Sequence, residues 1–335
     1  MQIREMHQST HHASFFVLSY FRDCLCAFRR TMDFTTKQVK RNALYFAIAC
    51  LCIALLWVAM KYKTRPPRVP DASYSIPRQI RYSFTLQNTT NRLLKNAEFW
   101  TYAPVKQTST QRCVHIETSH PYQLISDNLG NQIVHFTFDN LPPYATKIIT
   151  IKADLELSDT PNSAQVQDLQ PFLRAEKYLE SDAPELSSFA KRFKDRKQVK
   201  TTDNIFHWVA DHVQYAGFSS NERGALYALK NKKGDCTEFM YLFTALCRAN
   251  AIPARGIGGY VCGENKVLKP NDYHNWAEFY QDGAWRIADP QKKVFMQDQS
   301  HYIAMRVISE TPENPMGRFH RFRFAGKGLK VKMSG

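Results

Sequence analysis

The chain has little of what usually betrays a chemistry. Glycine supplies only 13 of 335 residues. Gly256, Gly258 and Gly259 lie in a strand-forming stretch with no helix start after them, which excludes a phosphate-cradling loop. There is no Cys-x-x-Cys pair and no paired histidine spacing, so zinc has no sequence case and neither a metal nor another cofactor is expected. Of eight cysteines, Cys113, Cys236, Cys247 and Cys262 form no disulfide framework, and a chain of this length needs none. Acidic residues are absent from 318–335, where six Lys and Arg give +6. They are also scarce in 1–70, with 3 against 11 Lys and Arg. The body between is +1, so the total of +15 belongs to the ends. A nearly neutral body argues against a nucleic-acid-binding core. With 44% hydrophobic and 22% charged residues, disorder and collagen are excluded. The length suits about two domains.

Long hydrophobic runs are also lacking, with one exception. Ala43–Met60 is uncharged over 18 residues, about the threshold for a membrane-spanning helix. A buried soluble helix would normally show a polar face. A cleaved signal would need a small-x-small site, and none closes the run. Cys50 is no lipobox cysteine, because apolar residues continue beyond it and Ala47 stands where a large aliphatic belongs. The expectation is a basic segment over 1–42, an uncleaved transmembrane anchor over 43–61 and a Pro-rich linker over 62–78. Arg29, Arg30, Lys37, Lys40 and Arg41 precede the run, and Lys61, Lys63, Arg65 and Arg68 follow it. The bias places the N-terminus inside and the rest outside the cytoplasm, periplasmic in an inner or plasma membrane protein. Met32 opens a second plausible start.

After the linker the period becomes two. Ile80, Tyr82, Phe84 and Leu86 alternate, and 98–102, 114–117, 133–138 and 147–151 are further short strands separated by polar turns. This pattern predicts a β-sandwich over 79–157. His115, His120 and His135 read as ordinary surface or core histidines, and Asp127-Asn128 with Asn131 reads as a turn, lacking calcium-ligand spacing.

From about 165 the pattern turns helical, with pieces expected over 171–178, 183–193, 201–213 and 224–229. Gly234-Asp235 then introduces a helix from Cys236 to about Ala249, with Asp235 as its N-cap. Cys236 therefore falls in the first turn, where free N–H groups and the helix dipole favour a thiolate. Cys247, deep in the same helix, reads as a small apolar residue. Downstream, Tyr273–Tyr280 and Trp285–Asp289 flank Asp282-Gly283, a strong hairpin signal. Folding there pairs Tyr280 with Trp285 and Trp276 with Asp289, so His274, Trp276 and Asp289 share one face. A helix-terminal Cys, a His and an acid diagonal to it make a nucleophile, a base and an orienting group. Gln214 and Tyr215 are candidates for a second oxyanion donor beside the Cys236 N–H. Arg255 reads as structural, and Trp276 as packing.

Gly234-Asp235-Cys236, LFTALCRANAIPARGIGGY, His274-Asn275-Trp276-Ala277-Glu278, and Trp285 with Asp289-Pro290 occur in this order over 165–310. Together they resemble the transglutaminase-like superfamily. The resemblance implies an α+β chain with a papain-like core at 165–310, and the preceding β-sandwich looks like those of bacterial membrane-anchored members. It implies Cys236 as nucleophile, His274 as base and Asp289 as orienter, acting on a protein or peptide substrate through a thioester. Hydrolysis, cross-linking acyl transfer, or a non-enzymatic scaffold remain open at this point. The basic tail, 311–335, is expected either to touch an anionic surface such as membrane or to form a solvated strand around Val331.

Overall fold

The computed structural model describes residues 45–48, 50, 74–164, 166–310 and 313–334. The expected anchor lies almost wholly outside them; 45–48 and 50 are helical. Among the described residues no helix is long and apolar enough to cross a membrane.

The first half is built of strands β1 (Ile76–Asn88), β2 (Leu94–Ala103), β3 (Gln111–Thr118), β4 (Gln123–Ser126), β5 (Gln132–Leu141) and β6 (Thr146–Leu157). They divide between two sheets. β6 lies between β1 and β3, and β5 between β2 and β4, all antiparallel. Alternation decides the arrangement. Ile80, Tyr82, Phe84 and Leu86 of β1 are buried, as are Ile149, Ile151, Ala153 and Leu155 of β6. They meet Phe99, Ile133 and Phe136 of the other sheet in one apolar core, with the Phe84 and Phe99 rings 4.9 Å apart. Each such phenylalanine contributes about 1.5–3 kcal/mol by leaving water.

The second half carries α1 (Pro184–Ala190), α2 (Gln198–His212), β7 (Gln214–Tyr215), α3 (Ala225–Asn231), β8 (Lys233–Gly234), α4 (Cys236–Ala249), β9 (Ala254–Val261), β10 (Lys266–Val267), β11 (Tyr273–Gln281), β12 (Ala284–Asp289), β13 (Val294–Phe295) and β14 (Tyr302–Val307). A five-stranded antiparallel sheet runs β13-β12-β11-β9-β14. α4 packs on β11 and β9, enclosed by apolar side chains of α1, α2 and α3. The structure is therefore mixed α+β and rich in strands.

The stretch 171–178, expected helical, is not. Only Gln170–Phe172 makes a 3-10 turn. Its polar groups are committed elsewhere: Arg174 O and Glu176 Oε1 both accept from Arg248, and Glu176 pairs with Leu179.

The strand pattern continues past the core into the basic terminal segment. β15 (Phe322–Ala325) pairs with β2, and β16 (Leu329–Met333) pairs with β1. Val331 is buried between exposed Lys330 and Lys332, and Phe322 packs on Phe84 at 5.2 Å. β10 joins β1 as a parallel neighbour. The core sheet is also tied directly to the sandwich, with Val105 N–H donating to Ala304 O and the Gln111 side chain bonding Ala304 at both ends.

Candidate active site

Cys236 opens α4 beneath a fully used capping box. Asp235 Oδ1 accepts from the Thr237 N–H at 2.8 Å, and Glu238 Oε2 accepts from the Asp235 N–H at 3.0 Å. Gly234 is required by this close turn, since a Cβ there would lie 2.3 Å from Glu238 Cβ. Glu238 is buried and paired with Arg223 Nη2 at 2.8 Å. Asp235 Oδ2 also accepts from the Ser219 N–H at 3.0 Å, fastening the loop after β7 to the start of α4.

The hairpin folds about Asp282-Gly283, with Tyr280 opposite Trp285 and Ala277 opposite Ala288. That register carries Asp289 to the level of Trp276 and diagonal to His274. The His274 Nε2–H donates to Asp289 Oδ2 at 2.6 Å, with both side chains buried. This bond fixes the tautomer and leaves Nδ1 as the basic nitrogen. Asn275, the next residue along, staples this strand to the helix: its Nδ2 donates to Thr237 Oγ1 at 3.0 Å. The Asn275 backbone N–H is directed at the Cys236 sulfur. The residue after the cysteine and the residue after the histidine are thus bonded to each other.

The electrostatics of the thiol differ from the expectation. Burial pushes Cys236 up to about 11, and the charges of Asp235 and Asp289 push the same way. The hydrogen bonds from Asn275 and Thr237 oppose them without prevailing. The positive end of α4 is already capped by Asp235, whose charge disfavours a thiolate beside it. The resting group is a neutral thiol, and its proton must leave to a base during attack.

Gln214 and Tyr215 lie in β7, which runs parallel to β8 immediately before the cysteine. Both are exposed. The Gln214 N–H is taken by Lys232 O, so its side-chain amide is what remains to donate. Arg255 lies directly opposite Glu278 and is bonded to it through Nε and Nη2, under the Trp285 ring at 4.1 Å. It belongs to the framework. Trp276 is buried, in contact with His274 and Tyr302. Sequence reasoning passed over Thr237 and Asn275, though their positions beside the cysteine and histidine were a usable signal. It also passed over Tyr302, for which no spacing gave one.

Residues 187–290 match the model of the transglutaminase-like superfamily. They form a transglutaminase-like core. No curated protein matches the chain. Among solved structures, the fold is similar to a candidate cysteine protease from Cytophaga hutchinsonii, at 18% identity and a TM-score of 0.51, over 77% of this chain and 92% of that one. The periplasmic domain of TgpA from Pseudomonas aeruginosa also aligns, at 14% identity and a TM-score of 0.34, over 64% of this chain and 90% of that one. The transglutaminase-like core encloses Cys236, His274 and Asp289, and the sandwich lies outside the matched span.

Proposed function

We propose that the chain is a membrane-anchored thiol enzyme that attacks amide carbonyls of protein or peptide substrates, with hydrolysis as the outcome. The observation that carries this reading is the 2.6 Å bond from His274 to Asp289 on a strand stapled to the first turn of the cysteine's helix. His274 Nδ1 takes the Cys236 proton as sulfur adds to the carbonyl. The Cys236 N–H, left free by a cap that engages Thr237 and Glu238, receives the developing oxyanion, with Gln214 or Tyr215 as second donor. His274 returns the proton to the leaving amine, the C–N bond breaks, and a thioester remains. Water, deprotonated by Nδ1, then adds and releases a carboxylate and the thiol. A lysine amine in place of that water would give a cross-link from the same thioester.

The anchor at 43–61, the inside N-terminus and a periplasmic catalytic half rest on the apolar run and its charged flanks. Protease added to intact spheroplasts should digest 72–335. Protection until lysis would reverse the topology.

The chemistry is tested with a glutamine peptide, with and without an amine acceptor. Ammonia or peptide cleavage without amine incorporation supports hydrolysis, and incorporation would replace it with acyl transfer. No product in either, with Cys236 unreactive to alkylation, would leave a scaffold.

A further inference from the structure

Asp289 is held by more than the histidine. Tyr302 Oη donates to Asp289 Oδ2 at 2.9 Å, the same oxygen that accepts from His274, while the Lys292 N–H donates to Oδ1 at 3.1 Å. Tyr302 and Asp289 are 2% and 1% exposed, so the bond is shielded from water. Burial and the adjacent charge of Asp289 push the phenol well above its usual range, so it stays neutral and donates.

The two residues begin far apart in the sheet. Tyr302 starts β14, while Asp289 ends β12, with β9 and β11 between them. The phenol meets Trp276 edge to face at 5.1 Å, and Trp276 lies along His274 at 6.4 Å. Gly259 of β9 makes this possible. A Cβ there would fall 2.8 Å from Trp276 Cη2 and 2.1 Å from Ile303 O.

We propose that Tyr302 is a positioning residue, whose hydroxyl fixes the Asp289 carboxylate and through it the orientation and basicity of His274. The proposal rests on the reading of His274 as the base for Cys236. A donor on the carboxylate draws off part of its negative charge, which weakens its hold on an imidazolium. Removing that donor should make His274 more basic. The other ionisable groups acting on this cysteine, carboxylate and tyrosine are Asp235, the N-cap of α4, neutral Tyr273 on β11 and Asp298 before β14. None is altered by the substitution.

The test is Tyr302→Phe in the full chain, which keeps the ring and removes the hydroxyl. Two quantities are read: peptide turnover, and the pH dependence of Cys236 alkylation by iodoacetamide. kcat should fall about tenfold with KM unchanged, the size expected for one hydrogen bond to a charged group. The acidic limb of the alkylation profile should move to higher pH by about half a unit. A merely structural tyrosine would lower the melting temperature and leave the limb in place, and that result, or a wild-type kcat, overturns the proposal. His274→Ala is the control for the reading beneath it. If that variant keeps the wild-type alkylation profile, His274 is not the base and both fall. If it loses the limb and Tyr302→Phe does not move it, the role of Tyr302 alone fails.

Discussion

Strand β6 of the sandwich alternates buried and half-open positions from Ile149 to Leu157, whereas β9 and β14 of the core are buried at almost every position. The difference is in what is buried. The sandwich interior is aromatic and aliphatic, and its one histidine–acid pair, His135 with Glu98, is half open to solvent. The core encloses charged groups in pairs: Arg248 with Glu176, Arg255 with Glu278, Glu238 with Arg223, and His274 with Asp289. Buried pairs are poor sources of stability, because desolvation consumes most of the attraction, but removing one member is expensive. The sandwich is thus held by area, and the core by directional bonds that fix where side chains point.

The comparison breaks most sharply at the sulfur. Cys236→Ala should reduce kcat by about 10⁶-fold, the order for removing a covalent nucleophile, while the urea midpoint stays near wild type. Asp289→Asn should lower kcat on the order of 10⁴-fold with the fold retained, because the wrong tautomer of His274 is then stabilised. Unfolding of this variant instead would place Asp289 with the structural pairs. In the sandwich the pattern should invert. Phe136→Ala should cost about 3–5 kcal/mol in urea unfolding and leave the turnover of the folded fraction unchanged. Arg255→Met, which strands Glu278, should cost about 3 kcal/mol, and Arg255→Met with Glu278→Leu should recover most of it. The smallest effect concerns the thiol. Raised to about 11, it holds about 300-fold less thiolate below pH 8 than a free cysteine. Greater nucleophilicity recovers part of this, so in His274→Ala iodoacetamide should label Cys236 about 20-fold more slowly than free cysteine. Equal or faster labelling would return the helix dipole to the leading place.

What was legible in the sequence follows the same division. The alternation in β1 and the Asp282-Gly283 turn are local signals, and they locate the sandwich strands and the hairpin register. The Cys236–Ala249 helix was legible from its cap and apolar stripe. The neutral thiol was not, because its largest cause is burial, which arises only when the core sheet packs on the helix; neighbouring Asp235 adds to it, and distant Asp289 adds less. Tyr302 was illegible for a related reason. β14 is buried on both faces and has no period to mark an inward side, and its partner lies three strands away. The stretch 171–178 misled because its composition suits a helix while its hydrogen-bonding groups are claimed by Arg248.

Strands β15 and β16 complete both sheets of the sandwich, yet they are made after the whole core. During synthesis β1 and β2 therefore wait with one edge unpaired along the stretches these strands later cover. Open edges of that kind recruit strands from neighbouring chains. Completion of the sandwich is a late event in the order of the chain, and a stalled or clipped product ending before residue 322 would present two sticky rims while already carrying Cys236 and His274. Such fragments should be the aggregation-prone species of this protein, and their removal falls to cellular quality control.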